Sequence, residues 1–419
     1  MQSERPGVEQ SHKVEFVGFH DLNGKPGFKV AIQSMKGRWY LYVASLWFPG
    51  WSILDVTEPA RPELLKFVPG PENTMTAQIQ VAEGKMITGL QVIGAGTPPE
   101  RAKLWGYDPS KPFEEGILIW DVASPAEPKL LGHFRTHGNG THRNYYAGGK
   151  YVHLAANMKG YQGNIYVIVD ISDPKNPVEV GRWWYPGQWL EGGEKQTEVL
   201  GVLPEVLGMH GPATIVGDLA YVSYGRSGFV ILDVSDLRKP KMIGHLSIGS
   251  FGSIVGGHSF LPIPERKLAI ATLEPTQEHG GDPALFVATV DISNPEKPRY
   301  MAFFPTPIPE PGHGVTNFAH KGGSFGPHNV HHPNFNPFHA PVNNILHQCY
   351  FNAGLRIWDI SDPQLPRELG YFVPENPRAR RGPIPPTLAT QFDDVLVDTR
   401  GYAYITDKHH GIFILRYTG

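Results

Sequence analysis

Short apolar runs recur along the whole chain, and Gly, Pro, Asp and Asn punctuate them. Apolar and polar residues alternate within and beside these runs, which supports strands rather than helices. One run repeats with its turn attached: an apolar strand ends in Asp, then a short turn closes on Pro. The copies are GWSILDVTEPARP from Gly50, GILIWDVASPAEP from Gly116, NIYVIVDISDPKNP from Asn164, GFVILDVSDLRKP from Gly228, LFVATVDISNPEKP from Leu285 and GLRIWDISDPQLP from Gly354. A further copy, GIFILRYTG from Gly411, has no turn after it.

Each Asp-turn-Pro unit is followed by another short strand, such as PKLLGHF or PKMIGHLSIG, and preceded by two more. Before Gly228 these are PATIVGDL and AYVSYG, joined at Gly217-Asp218. The expected unit is four antiparallel strands, A to D. Copies roughly 50 to 70 residues apart have the period of propeller blades with loop insertions. The last unit has A (FDDVLVD), B (GYAYITD) and C but no D, and HKVEFVGFHD, within residues 12–21, reads like the other D strands. Pairing the two ends would protect edges otherwise left open. The sequence therefore predicts an all-β fold: a seven-bladed β-propeller, one domain over residues 1–419, its ring closed by the N-terminal strand completing the last blade.

NIYVIVDISDPKNP and the tail DDVLVDTRGYAYITDKHHGIFILRYTG resemble the signature segments of the LVIVD-repeat family, and the resemblance extends over essentially the whole chain. It implies the propeller fold. That family is named for its repeat, so the resemblance implies no reaction.

Composition narrows the function classes. With 419 residues, 40% of them hydrophobic, the chain can bury a large core. A net charge of -3 gives no case for a nucleic-acid surface. The single Cys, Cys349, excludes an intramolecular disulfide and reads as a buried small hydrophobe. The N-terminal run MQSERPGVEQSHKVEF has no apolar core of a secretory signal, and no run is long enough to span a membrane, so the expected compartment is cytoplasmic.

In a propeller the A strands line the channel. The Asp-turn-Pro units lie on the opposite face from the starts of these strands, and their Asp side chains are expected to bond turn amides. At the starts of four consecutive A strands stand Gly140-Thr141-His142, Gly208-Met209-His210, Gly256-Gly257-His258 and Gly326-Pro327-His328. A Gly-His pair that only braces a blade should recur in most blades. Here NTMTAQIQ, LATQFDD and GKPGFKVAIQ carry no His, and Gln78 and Gln391 stand near the corresponding positions in the first two. Restriction to one arc favours a site. His142, His210, His258 and His328 are the expected ligands of a divalent transition metal: iron, copper, manganese or zinc.

The B-to-C loops reach the same face. Glu274 ends the strand LAIATLE and is expected to orient a ligand imidazole or act as a base. Arg226, Lys408 and His409 are candidates for an anionic substrate group. His331 should point away by strand alternation, and His332 lies further down. His133 and His245 in D strands, and His153 and His347 in B strands, read as structural. Four long insertions, rich in Trp183, Trp184, Tyr185, Trp189, Phe318 and Phe325, fall on the Gly-x-His face as lids, substrate walls or homo-oligomer contacts. These features point to a metal-dependent enzyme acting on a small, partly aromatic substrate. An oxidoreductase or oxygenase is favoured over a lyase or hydrolase, and a protein-binding scaffold is the non-enzymatic alternative. No nucleic-acid or membrane partner is expected.

Overall fold

A computed structural model describes residues 4–95, 99–195 and 208–419. Among them the chain forms 28 strands and one short α-helix, Pro99–Leu104, in the insertion that follows Lys85–Val92. No helix among them is long and apolar enough to cross a membrane.

The strands form six antiparallel sheets. The first is the meander Val30–Met35, Arg38–Ala44, Gly50–Asp55, Glu63–Pro69. Next comes an eight-stranded sheet made of two such meanders, Thr74–Ala82 to Lys129–Phe134 and Gly140–Tyr145 to Val178–Trp183, joined at Gly140 and Gln91. Ala213–Val216 to Lys241–Leu246 and Gly257–Ile263 to Arg299–Phe303 follow the same order.

The last two sheets each take a strand from the N-terminus. Val8–His12 lies outside Arg367–Pro374, and Val14–His20 pairs antiparallel with Gly411–Tyr417, as the D-like run near the N-terminus predicted. The expected inner strand of the sixth unit is reduced to a bridge between Val330 and Gln348. Pro333 and Pro337 follow it closely, and proline cannot donate to a ladder.

Among the described residues, seven apolar cores lie between successive four-stranded runs. The first packs Tyr42, Trp51 and Ile53 against Ile79 and Trp120. The series ends with Tyr404 and Ile412 packed on Ile32 and Leu41 of the first run. Full burial of each such large apolar side chain contributes about 1.5–3 kcal/mol.

The repeated turn has a definite role. Asp55, Asp121, Asp170, Asp233, Asp291 and Asp359 each accept the amide N–H two residues on, at 2.7–2.9 Å. The turns also dock on the preceding run. A Cβ at Gly132, Gly181 or Gly244 would stand 1.8–2.1 Å from the carbonyl oxygen of Pro174, Leu237 or Pro295, each in the next unit's turn. Glycine in the fourth strand is thus a close-approach residue, which explains the recurring Gly of GHF and GHL.

Candidate functional site

The structure brings the four predicted imidazoles into one row. Ring centroids are 4.8 Å apart for His142 and His210, 5.3 Å for His210 and His258, and 4.4 Å for His258 and His328. Each histidine stands where its segment meets the end of the neighbouring strand. His210 N–H donates to Ser223 O, and His328 N–H to Cys349 O. His142 and His258 are the extra residues of β-bulges, between Thr141 and Arg143 and between Gly257 and Ser259.

Glu274 lies at the focus of the row. It follows strand Leu268–Leu273, and its N–H donates to Gly256 O. Its Oε2 is 2.8 Å from His210 Nε2 and 3.6 Å from His258 Nε2, and its Oε1 is 3.5 Å from His328 Nε2. Ligand atoms of His210, His258 and Glu274 all lie within 4.8 Å of one another. Burial pushes the Glu274 carboxyl up, but His258, His328 and the bond from His210 outweigh it and hold the group well below its usual range. Burial also pushes the imidazoles of His142 and His258 well below theirs.

Three of the Nδ1 nitrogens are held. His142 Nδ1 is 3.0 Å from Gln91 Oε1, His258 Nδ1 is 2.9 Å from Ser259 Oγ, and His328 Nδ1 is 2.5 Å from the Asp393 carbonyl. Nε2 of His142 is buried without a partner. Solvent reaches the row at half-buried His142 and at His210 and Glu274, whose side chains are 16% and 19% exposed, while His258 is sealed.

Several residues of the site have no counterpart in the sequence reading. Gln91 is one. Arg143, next to His142, is buried, and its Nη2 donates to His258 Nε2 at 2.8 Å. Asp393 is fully buried, and both its oxygens lack a hydrogen bond, although Lys408 Nζ stands 3.3 Å away. Burial raises its carboxyl to about 8, against the opposing pull of Lys408. Beneath the row a cavity of about 20 Å³, enough for a water, is lined by Arg143, Gln78, Thr214 and His332, whose Nε2 is 2.7 Å from Thr214 Oγ1.

Two expected site residues lie apart. No hydrogen bond or ion pair among the described residues links Arg226 or His409 to the four imidazoles. Arg226 spends its guanidinium on the carbonyls of Gly249, Phe251, Gly252 and Ser253, so it braces that loop. His409 Nδ1 accepts the Arg381 N–H, and its ring stacks on Trp47. Gln391 is tied to Ser324 and Thr390. His331 bonds the Ala340 carbonyl and the Val397 amide, and His133 and His245 bond the carbonyls of Glu115 and Ser227, as structural residues would.

A family model for the LVIVD repeat matches residues 147–184 and 213–247. The chain carries LVIVD repeats. Both matched stretches begin just after a predicted ligand, His142 or His210, and contain none of the four. His142 precedes the first matched stretch, His210 lies between the two, and His258 and His328 follow the second.

Among solved structures, that of U3-55K is similar over 98% of this chain and 100% of that one, with a TM-score of 0.57 and 9% identity. The crystal structure of RRP9 WD40 repeats is similar over 98% and 99%, again with a TM-score of 0.57 and 9% identity. At that identity the likeness is one of fold, and the fold is a β-propeller. No curated protein matches the sequence.

The aromatic residues of the insertions pack on rings of the blades and on one another. Trp184 and Trp189 close on Tyr161, Trp183 and Tyr185 on Tyr224, and Phe318 is fully buried beside Phe325. Part of the insertion between the third and fourth units, residues 196–207, and residues 96–98 of the one in the second unit lie outside the described residues.

Proposed function

We propose that this chain is a metal-dependent enzyme built on a seven-bladed propeller. Pairing of Val14–His20 with Gly411–Tyr417 closes the ring, the joined meanders of the eight-stranded sheet count as two blades, and the seven cores are the seven blade interfaces. His142, His210, His258 and His328 hold a divalent transition metal at the mouth of the channel, drawn from iron, copper, manganese and zinc.

The observation that carries this reading is the division of labour on the rings. Three Nδ1 atoms are held by Gln91, Ser259 and the Asp393 carbonyl, as outer partners hold the ligand imidazoles of metal sites. The Nε2 atoms of His210, His258 and His328 lie 2.8–3.6 Å from one carboxylate, that of His258 also accepts from Arg143 Nη2, and that of His142 is buried and unpartnered. Imidazoles beside one carboxylate suit the transition metals named.

When bound, the metal supplies Lewis-acid or redox chemistry at an oxygen-bearing substrate. A metal on His210 Nε2 would replace that nitrogen's bond to Glu274 and leave the carboxylate to accept a proton from the substrate, while buried His258 and His328 line the inner side. We favour an oxidoreductase or oxygenase acting on a small organic substrate in the cytoplasm. The second reading is a lyase or hydrolase that uses the His210–Glu274 pair, hydrogen-bonded at 2.8 Å, as acid and base.

Elemental analysis of the wild type beside His258→Ala tests the metal. Stoichiometric metal lost in the variant supports the site. Absence of metal after reconstitution with each of the four sinks it, and a scaffold role then stands if the histidines also tolerate alanine.

A further inference from the structure

One electron pair of the row is already engaged by a cation of the chain itself. Arg143 follows the bulged His142 on strand Gly140–Tyr145, and its Nη2 donates to His258 Nε2 at 2.8 Å. A guanidinium can only donate. His258 Nε2 therefore carries no proton, and Nδ1–H is the donor to Ser259 Oγ, 2.9 Å away. That tautomer is the one a metal on Nε2 requires. Its electron pair serves Arg143 or a metal, but not both. His258 is sealed and Arg143 is only 4% exposed, so water has little access to the bond.

The two cations would also draw on the same carboxylate. Burial pushes the Arg143 guanidinium down, and the charges of Glu274, Asp394 and Asp393 act against that, Glu274 most strongly. Glu274 Oε2 also lies 3.6 Å from His258 Nε2. A metal on that nitrogen would share Glu274 with Arg143, and the two like charges would repel each other.

We infer that Arg143 is a gate on metal occupancy, holding His258 in the ligating tautomer while opposing any cation that binds there. The inference rests on the metal site proposed above. A metal bonds His258 only after Nη2 lets go, so the free energy of releasing Arg143 weakens the binding of every ion. Ions that bind imidazole weakly are then excluded, while those that bind it strongly still enter.

The test is the zinc affinity of the full chain, measured by competition with a chelator of known affinity on the wild type, Arg143→Gln and Arg143→Lys. The expected result is binding roughly ten- to a hundredfold tighter in Arg143→Gln, the usual size of a coupling between two sites. Arg143→Lys keeps the charge and should stay closer to the wild type. An arginine that only braces the site predicts the reverse, a loss of affinity in both variants. Unchanged or weaker binding in Arg143→Gln overturns the inference. So does an equal gain in Arg143→Lys, which would mark loosened packing instead of a lost charge. If circular dichroism shows Arg143→Gln unfolded, zinc should restore the fold by supplying the missing positive charge. A variant that stays unfolded with zinc present also overturns the inference. The two readings fail separately. Zinc uptake by the wild type with no gain in Arg143→Gln sinks the gate alone. Uptake by Arg143→Gln but not by the wild type supports the gate and sinks the native metal site. Uptake by neither sinks both.

Discussion

Oε2 of Glu274 lies 2.8 Å from Nε2 of His210, placing a carboxylate against three of the four imidazoles. Glu274→Gln keeps the shape and removes the charge. We expect metal affinity to fall about 10–100-fold, the usual effect of losing a residue that supports a metal site. Competition against a chelator of known affinity measures it. Unchanged affinity would show that Glu274 does not support the metal.

Gln91 faces His142 from the neighbouring strand, 3.0 Å from Nδ1. Gln91→Leu frees the ring to turn and to change tautomer. The expected result is metal affinity reduced about 10–100-fold with the unfolding midpoint nearly unchanged. A parallel loss of stability would mark Gln91 as a packing residue instead.

The four imidazoles were legible because Gly-x-His marks one position in successive units. The strand pattern also placed Val14–His20 beside the last strand. Arg143 was hidden for a physical reason. Strand alternation sends adjacent side chains to opposite faces, but the bulge at His142 breaks that rule, and Arg143 reaches His258 from the next position. Nothing in the local sequence announces that extra residue. Gln91 was hidden differently: it belongs to the preceding unit, and only the pairing of Gly140 with Gln91 brings it to His142. Arg226 and His409 read as free loop groups because their acceptors and stacking partners lie in other loops.

Gly244 presses on the carbonyl oxygen of Pro295, which a Cβ would meet at 2.0 Å. Gly244→Val should therefore destabilise the protein by about 1–3 kcal/mol, the cost of overpacking a close contact. Urea unfolding with an unchanged m-value is the appropriate measurement. A midpoint equal to the wild type would show that the turn yields at little cost.

Burial lowers the imidazoles of His153 and His339 to about 3 and that of His331 to about 4. In the unfolded chain the same groups titrate near about 6.5, so below that pH the unfolded state binds more protons. The stability they contribute is fully present above about pH 6.5 and drains away as pH falls toward 4, at up to about 1.4 kcal/mol per unit for each histidine. Thermal unfolding from about pH 7.5 to 4.5 should show this fall, with a shallower slope in His153→Gln. A flat profile would mean that these rings are protonated in the folded state.

The N-terminal segment contributes to two sheets in succession, Val8–His12 to one and Val14–His20 to the next, with Lys13 at φ 53° as the corner between them. It is a suture across a single joint. The bond from His328 to the Asp393 carbonyl crosses that same joint, since His328 pairs with Cys349 on one side and Asp393 follows Phe392 in the inner strand on the other. Pulling the first twenty residues away would open a seam that runs inward to the last of the four imidazoles, so trimming the outer rim should be felt at the centre.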